Sequence, residues 1–580
     1  MATTIDKTPE TDSTAGADTA FPRTGADLLV DAMAQLGADR IFTIVGIGMV
    51  GLGQTLFRRR DEVAYVGHLN ETNLALAAQG YARQSNKPAV CAVYHASGTA
   101  LAMMSVTTAW ADHSPLILIS ATSSQAIKGR DQYAATPRSL IEMTTQYTKW
   151  SHEVGQAERI PEILARAWEI AMTPPMGPVH LAIPCDLLDE VIGNPVLRDE
   201  FARTHNYFET CADEQGLRAA AKLLQSASKP VILCGSEPGQ LRASEEMVVV
   251  AELLGAPVIT EHTASHLGFP TSHDQYVGVI AANKPILEQA DAVLSVGFEY
   301  TEMGMPGEMP PFPASAKSIS LCADPQLVTK QIWPDIALYG HPVPSLARLA
   351  ELLKESPPAD TAKAKGLEAC ATVRAQRASD MQVARALSRQ HGPMDPKQVL
   401  LEAQDAVDPD WLVVMAASTI GWLGDVYWEI DKPANFHQVS GKGSAQGWGS
   451  PVALGVQMAA PDKRVIAILG DGNLMFSATA IWGAAQHNLP IIFVVANNAG
   501  WACIPDAIEG MYGVETTVES SHGLGWTWGD APIDFTAFAR SLSLEAERVE
   551  TAEQYRACLD KAVASKRPWL IECVVNSNYN

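Results

Sequence analysis

The chain has 580 residues, which at roughly 150 per domain predicts three or four domains. Hydrophobic residues make up 47% and charged residues 18%, the balance of a large globular α/β protein whose core needs no disulfide staples. A net charge of −23 disfavours nucleic acid and anionic membrane surfaces as partners, and no run of about 18 apolar residues offers a membrane helix.

In chain order, residues 1–23 are rich in Thr, Ala and Asp and lack the basic flank and apolar centre of a signal peptide. They read as a disordered tail. Residues 24–190 form a first α/β block. Strand-like apolar runs at 41–45, 89–94, 116–120 and 179–184 alternate there with helical stretches such as 73–84. A second block, 205–353, has runs at 230–234, 257–260, 292–296 and 318–321. Residues 354–392 open on a stretch rich in Pro, Ala, Lys and acidic residues and read as a linker. The third block, 393–580, resumes the alternation. The fold expected is therefore α/β, with three doubly wound parallel sheets. Nine cysteines are spread along the chain without a CxxC pair, which fits buried reduced thiols in a cytoplasmic protein.

The third block carries the most informative motif. The apolar run 464–469 reads as a buried parallel strand and ends at Gly470-Asp471-Gly472-Asn473. A helix-like stretch, 477–487, and a second apolar run, 491–495, lead to Asn497-Asn498. Oxygen ligands thus stand at the carboxyl ends of two strands, where parallel sheets bind ligands. A glycine turn exposes N–H groups to a phosphate. One carboxylate and one amide oxygen can hold Mg²⁺, which keeps phosphate oxygens and water as its other ligands. Asp471 and Asn498 therefore point to Mg²⁺ carrying a diphosphate.

This motif resembles that of enzymes using thiamine diphosphate (ThDP). In the first block, Glu71 precedes a helix that reaches Gly80-Tyr81-Ala82, as the activating glutamate of such enzymes does. From about residue 24 to 575 the chain resembles the ThDP-dependent 2-oxo acid decarboxylase, carboligase and acetolactate synthase superfamily. Within it the chain is most similar to the benzoylformate decarboxylase family. The likeness rests also on Lys149-Trp150-Ser151, on Gly177-Pro178-Val179 with Pro184, on Phe269-Pro270-Thr271-Ser272-His273, and on Ile481-Trp482-Gly483-Ala484-Ala485-Gln486.

The resemblance implies a pyrimidine-binding domain (24–190), a middle domain (205–353) and a diphosphate-binding domain (393–580). It implies that Glu71 activates the cofactor and that Asp471, Asn498 and the Gly500 carbonyl ligate Mg²⁺. Ser418, Thr419, Gly470, Gly472 and Asn473 would meet the diphosphate. His273 becomes a candidate proton shuttle, and Trp501, Cys503 and Ile504 would line the substrate channel. One ThDP would be shared between two chains of a homo-oligomer, a dimer of dimers, acting on a small carbonyl substrate.

Three positions depart from the family pattern. Ile47 stands where the decarboxylase has a serine that meets the substrate carboxylate. Tyr94, with His95 beside it, stands where it has a histidine. Gln446 takes the place of the apolar wedge that bends ThDP. The function expected is a carbon–carbon lyase acting on a 2-oxo acid or a 2-hydroxy carbonyl compound. A carboligase of the acetolactate synthase type is the alternative, and a catalytically silent protein of the same fold a third reading, opposed by the presence of Glu71, Asp471 and Asn498. No basic cluster in the middle block marks a flavin or acyl-CoA site.

Overall fold

The computed structural model describes residues 22–130, 138–193, 209–262, 264–301, 310–416, 418–443, 445–514, 526–528 and 531–576. Apart from Pro22 and Arg23, the tail expected at 1–23 lies outside the described residues.

The described strands build three six-stranded parallel sheets. The first comprises β1 (Arg40–Thr43), β2 (Ala64–Val66), β3 (Ala89–Tyr94), β4 (Leu116–Thr122), β5 (Trp150–Glu153) and β6 (Val179–Pro184), in the order β2-β1-β3-β4-β6-β5. The second holds β7 (Pro230–Cys234), β8 (Val258–Thr260), β9 (Tyr276–Val279), β10 (Ala292–Val296), β11 (Lys317–Cys322) and β12 (Ile336–Tyr339), in the order β12-β11-β10-β7-β8-β9. The third holds β13 (Leu412–Ala416), β14 (Phe436–Gln438), β15 (Val465–Gly470), β16 (Ile492–Asn497), β17 (Glu545–Val549) and β18 (Trp569–Val574), in the order β14-β13-β15-β16-β18-β17. The first and third sheets share one topology. Their inner strands are continuous apolar runs because helices cover both faces.

The linker expected at 354–392 is largely a helix, Asp360–Arg385. Its Ala, Lys, Gln and Arg content favours helix, and Arg377 ties it to the Thr271 and Val426 carbonyls. No helix among the described residues is long and apolar enough to cross a membrane.

The first and third domains share one core. A single buried cluster takes in Phe42, Leu74 and Leu118 from one and Val414, Val452 and Leu469 from the other. Its centre is the contact between helix Glu71–Ser85 and helix Gly449–Ala459. A Cβ on Gly455 would stand 1.8 Å from the Ala77 carbonyl oxygen, and one on Gly80 would stand 2.3 Å from that of Val452. Only glycine admits that approach.

Beside this contact lies a buried charge. Arg83 pairs with Asp112 at 3.2 Å, both side chains being fully enclosed. It also donates to the carbonyls of Gln438, at 3.1 Å, and Ser265, and its guanidinium lies 4.8 Å from the Trp448 ring centre. Arg83 thereby touches all three domains.

Two substitutions test this frame. Gly455→Val should force the helices apart and cost about 1–3 kcal/mol. Arg83→Met should cost more, about 3–5 kcal/mol, because Asp112 is left buried and unpaired. Denaturant unfolding followed by circular dichroism measures both, and a loss for Arg83→Met no larger than for a surface substitution would contradict the role given to the pair.

Candidate active site

The third sheet reverses its strand order between β13 and β15, and the crevice outside such a reversal is where open α/β sheets take ligands. There the structure brings together Ser418, Thr419, Gln446, Gly470, Asp471, Gly472, Asn473, Asn498, Gly500, Trp501 and Cys503, around a cavity of about 50 Å³. Thr419 opens helix Thr419–Tyr427 after β13, and Asp471 opens the short helix Asp471–Met475 after β15. Asn498 follows β16 directly. Ile504 is not among the lining residues. It lies, exposed, on helix Cys503–Tyr512.

Asp471 is 3% exposed. Its carboxylate accepts hydrogen bonds from the Gly472 N–H at 2.7 Å, the Gly500 N–H at 3.1 Å and the Trp528 indole at 3.1 Å. Burial pushes its pKa up to about 6 against these donors. The Gly500 N–H also points at Asn498 Oδ1, 3.3 Å away, so the two side-chain oxygens converge on one backbone group. Ala499, between them, adopts a left-handed φ of 62°. The Asn473 and Gln446 side-chain amides meet at 3.2 Å.

Aromatic rings close the cavity. The Trp501 ring lies on Gly472 so tightly that a Cβ there would stand 2.5 Å from it. Trp501 in turn meets Phe476 and Trp528 edge-on, with ring centres 5.4 and 5.7 Å apart. Sequence reasoning missed Trp528, which reaches Asp471 through a β-bridge between Gly500 and Thr527.

Glu71 is the first residue of its helix, capped by Asn70, whose side chain accepts from the Asn73 N–H. Glu71 Oε1 lies beside Gly98, 3.5 Å from where a Cβ would stand, an ordinary van der Waals distance. Within one chain Glu71 does not line the cavity around Asp471. Its neighbours do meet the third domain: Asn73 donates to Thr479 Oγ1 at 3.0 Å, and His68 Nε2 lies 3.2 Å from the Ala480 carbonyl.

The first sheet reverses its order between β1 and β3, and Ile47, Tyr94 and His95 sit at that point. Ile47 is 77% exposed. Tyr94 packs its ring against the backbone of Gly46 and Gly48, where added Cβ atoms would stand 2.6 and 2.3 Å from it. Burial raises the Tyr94 pKa, so its phenolate is scarce at neutral pH. His95 is buried, with a φ of 57°, and its Nε2 lies 2.8 Å from Ser123 Oγ. It lines a second cavity of about 50 Å³ with Ser123, Lys128 and Glu153.

The structure does not bring His273 to the cavity around Asp471. Its ring stands edge-on to Phe269 with centres 5.1 Å apart, and its Nε2 lies 3.5 Å from Glu252. Both contacts are with its own domain. Lys149 of the Lys-Trp-Ser stretch is structural: its ammonium donates to the carbonyls of Ile170, at 2.6 Å, and Thr173, at the end of helix Ile160–Met172.

Three family models match the chain, one in each of its three domains. They are the N-terminal TPP binding domain, the central domain and the C-terminal TPP binding domain of thiamine pyrophosphate enzymes, at residues 23–143, 217–349 and 417–573. The chain belongs to the thiamine pyrophosphate enzyme family. Thiamine pyrophosphate and ThDP are one molecule, so this is a ThDP-dependent enzyme, of the decarboxylase and acetolactate synthase type. It shares 29% identity over 529 residues with a benzoylformate decarboxylase of Pseudomonas aeruginosa, covering 88% of this chain and 92% of that protein. With the acetolactate synthase large subunit of Corynebacterium glutamicum it shares 26% over 594 residues, covering 100% and 91%. The crystal structure of benzoylformate decarboxylase from Polynucleobacter necessarius superposes with a TM-score of 0.82 at 19% identity, over 96% of this chain and 99% of that one, a likeness of fold.

The residues present fit a cation-borne diphosphate. Among the described residues no three His, Cys, Asp or Glu side chains gather as a metal site. A cation at Asp471 would rest on one carboxylate and neutral oxygens, a hard donor set suited to Mg²⁺.

Gly472→Ala should displace Trp501 from its seat. A loss of about 1–3 kcal/mol in thermal unfolding is expected, together with failure of the cofactor to bind in calorimetry; wild-type values in both would show that the ring yields without consequence.

Proposed function

We propose that this enzyme is a ThDP- and Mg²⁺-dependent carbon–carbon lyase acting on a 2-oxo acid or a 2-hydroxy carbonyl compound. The observation that carries this reading is the convergence of the buried Asp471 carboxylate and Asn498 Oδ1 on the Gly500 N–H, at the carboxyl ends of β15 and β16. Asp471, Asn498 and the Gly500 carbonyl hold the cation. Its charge returns the carboxyl to the ionised form that burial opposes. Ser418, Thr419, Gly470, Gly472 and Asn473 would receive the diphosphate, and Gln446, which lines the same cavity, would meet the thiazolium.

When bound, ThDP supplies a nucleophilic carbon and then an electron sink for the bond that breaks. The rest is done by side chains. Glu71 holds a proton at the pyrimidine ring nitrogen. His95 carries protons near the substrate in preference to Tyr94, because its imidazole reaches Ser123 whereas the Tyr94 ring is packed on the Gly46 and Gly48 backbone. Ile47, with Trp501 and Ile504 across the channel, favours a substrate that presents no carboxylate there.

Glu71 and the Asp471 cavity belong to different copies of the chain. Leu69, Leu101, Met475 and Phe476 are exposed around the start of the Glu71 helix, and Thr72 and Asn73 join them through Leu101 and Thr479. An apolar patch beside a catalytic carboxylate marks an interface, so a homodimer completes the site and a dimer of dimers is the assembly. The nine unpaired cysteines suit a reducing compartment, the cytoplasm.

Asp471→Ala should abolish Mg²⁺-dependent ThDP binding in calorimetry, whereas Glu71→Gln should bind ThDP but slow exchange of its C2 proton, read by NMR. Unchanged affinity in the first, or wild-type exchange in the second, removes that residue from the mechanism.

Substrate choice is a separate test. Without a hydroxyl at Ile47 the wild type should process benzoylformate poorly. Loss of one charge-assisted hydrogen bond is worth roughly 10- to 150-fold in kcat/KM. Ile47→Ser should recover part of it. Assays that read CO₂ release and aldehyde consumption separately distinguish lyase from carboligase, and efficient benzoylformate turnover by the wild type would restore the simple decarboxylase.

A further inference from the structure

The middle sheet reverses its strand order between β10 and β7, so its own ligand crevice would open outside those strands. Side chains of the chain fill it. A Cβ on Gly235, after β7, would stand 1.8 Å from the carbonyl oxygen of Gly297, after β10. The buried Glu237 accepts from the N–H groups of Ala323 at 3.0 Å and Asp324 at 3.3 Å. Glu261 accepts from the Ser236 hydroxyl at 2.7 Å and the Glu299 N–H at 2.5 Å. Backbone N–H groups at such strand ends are what a phosphate would use. Here carboxylates already occupy them and would repel it.

What enters this acidic crevice is a cation from the third domain. Lys442, with its side chain 30% exposed, forms an ion pair with Glu299. Glu261 and, from the first domain, Asp112 also act on its charge. His113 Nε2 lies 3.6 Å from the other Glu299 oxygen. Lys442 sits on the loop between β14 and helix Gly449–Ala459. That loop is tethered at both ends by Arg83, at the Gln438 carbonyl and across the Trp448 ring. Between the tethers stands Gln446, touching Asn473 and lining the cavity around Asp471.

We propose that Lys442 is a positioning residue: anchored on Glu299, it fixes the loop that presents Gln446 to the cofactor, so the middle domain acts on the reaction through this ion pair instead of a ligand of its own. The inference rests on the placement of Gln446 at the thiazolium. The geometry also sets Lys442 apart from the two tethers, since neither Arg83 contact holds the middle of the loop.

The test uses full-length Lys442→Met and Glu299→Gln, with Lys442→Arg as the conservative control. In amide hydrogen exchange without cofactor, residues 439–443 should exchange about tenfold faster or more in the first two variants, with β15 unchanged and the arginine variant near wild type. In calorimetry the ThDP dissociation constant should rise about 10- to 100-fold in the same two, and kcat should fall with KM steady. Unchanged exchange in both variants overturns the anchor. Faster exchange with wild-type ThDP affinity and kcat overturns the positioning role. A wild-type chain that binds no ThDP overturns the reading of the cavity itself, while the exchange comparison still decides whether Lys442 anchors the loop.

Discussion

Two helices meet backbone to backbone at Gly80 and Gly455, and the packing of the first domain on the third follows from that contact. Glu71 lies at the start of the first helix, roughly 13 Å along its axis from Gly80 at 1.5 Å per residue. The second helix leads into β15 and so into Asp471. With no side chain between them, the helices cannot slide or roll without a clash of carbonyl oxygens. The first and third domains of one chain are thus held in a fixed relation that loops alone could not supply. The shared core around Trp448 and Leu74 makes the frame cooperative, because neither domain can loosen without exposing the other.

Charge is buried in two different ways around this frame. Arg83 and Asp112 neutralise each other and satisfy carbonyls in the remaining domains, so they act as structure. Asp471 is surrounded by N–H donors, and burial holds its acidity well below that of an ordinary carboxylic acid. The first arrangement is complete in itself. The second gains from a cation, which is the sense in which a perturbed carboxyl marks a functional site.

Much of this was legible in the sequence because the signals are local. β3, β6, β7 and β10 begin and end where their apolar runs do, since central strands of parallel sheets are buried on both faces. The edge strands β2, β5 and β17 were not legible: Ala64-Tyr65-Val66 is mostly exposed, and Trp150-Ser151-His152-Glu153 and Glu545–Val549 are too polar to announce a strand. Helix Asp360–Arg385 buries only Ala362, Gly366, Cys370 and Ala384, and so shows no apolar stripe to read. Within the site, Gly470 ends β15 and Ser418, Asp471 and Asn498 come just after strands, and their convergence follows from strand order. Trp528 arrives by a bridge from a distant segment that no motif marks. The contacts of His273, with Phe269 in its own loop and Glu252 in a separate segment, are likewise marked by no motif.

The identical strand orders of the first and third sheets carry one more consequence. The paired helices each precede the third strand of their sheet, β3 in one and β15 in the other, and each offers a glycine to its mate. The first and third domains are therefore two copies of one topology, joined through equivalent helices. Divergence has divided the labour, leaving an acid at a helix start in one half and an acid at a strand end in the other. Because equivalent helices carry the contact, one close approach of two glycines serves both sheets, and a bulkier residue at either position would disturb the packing of both domains.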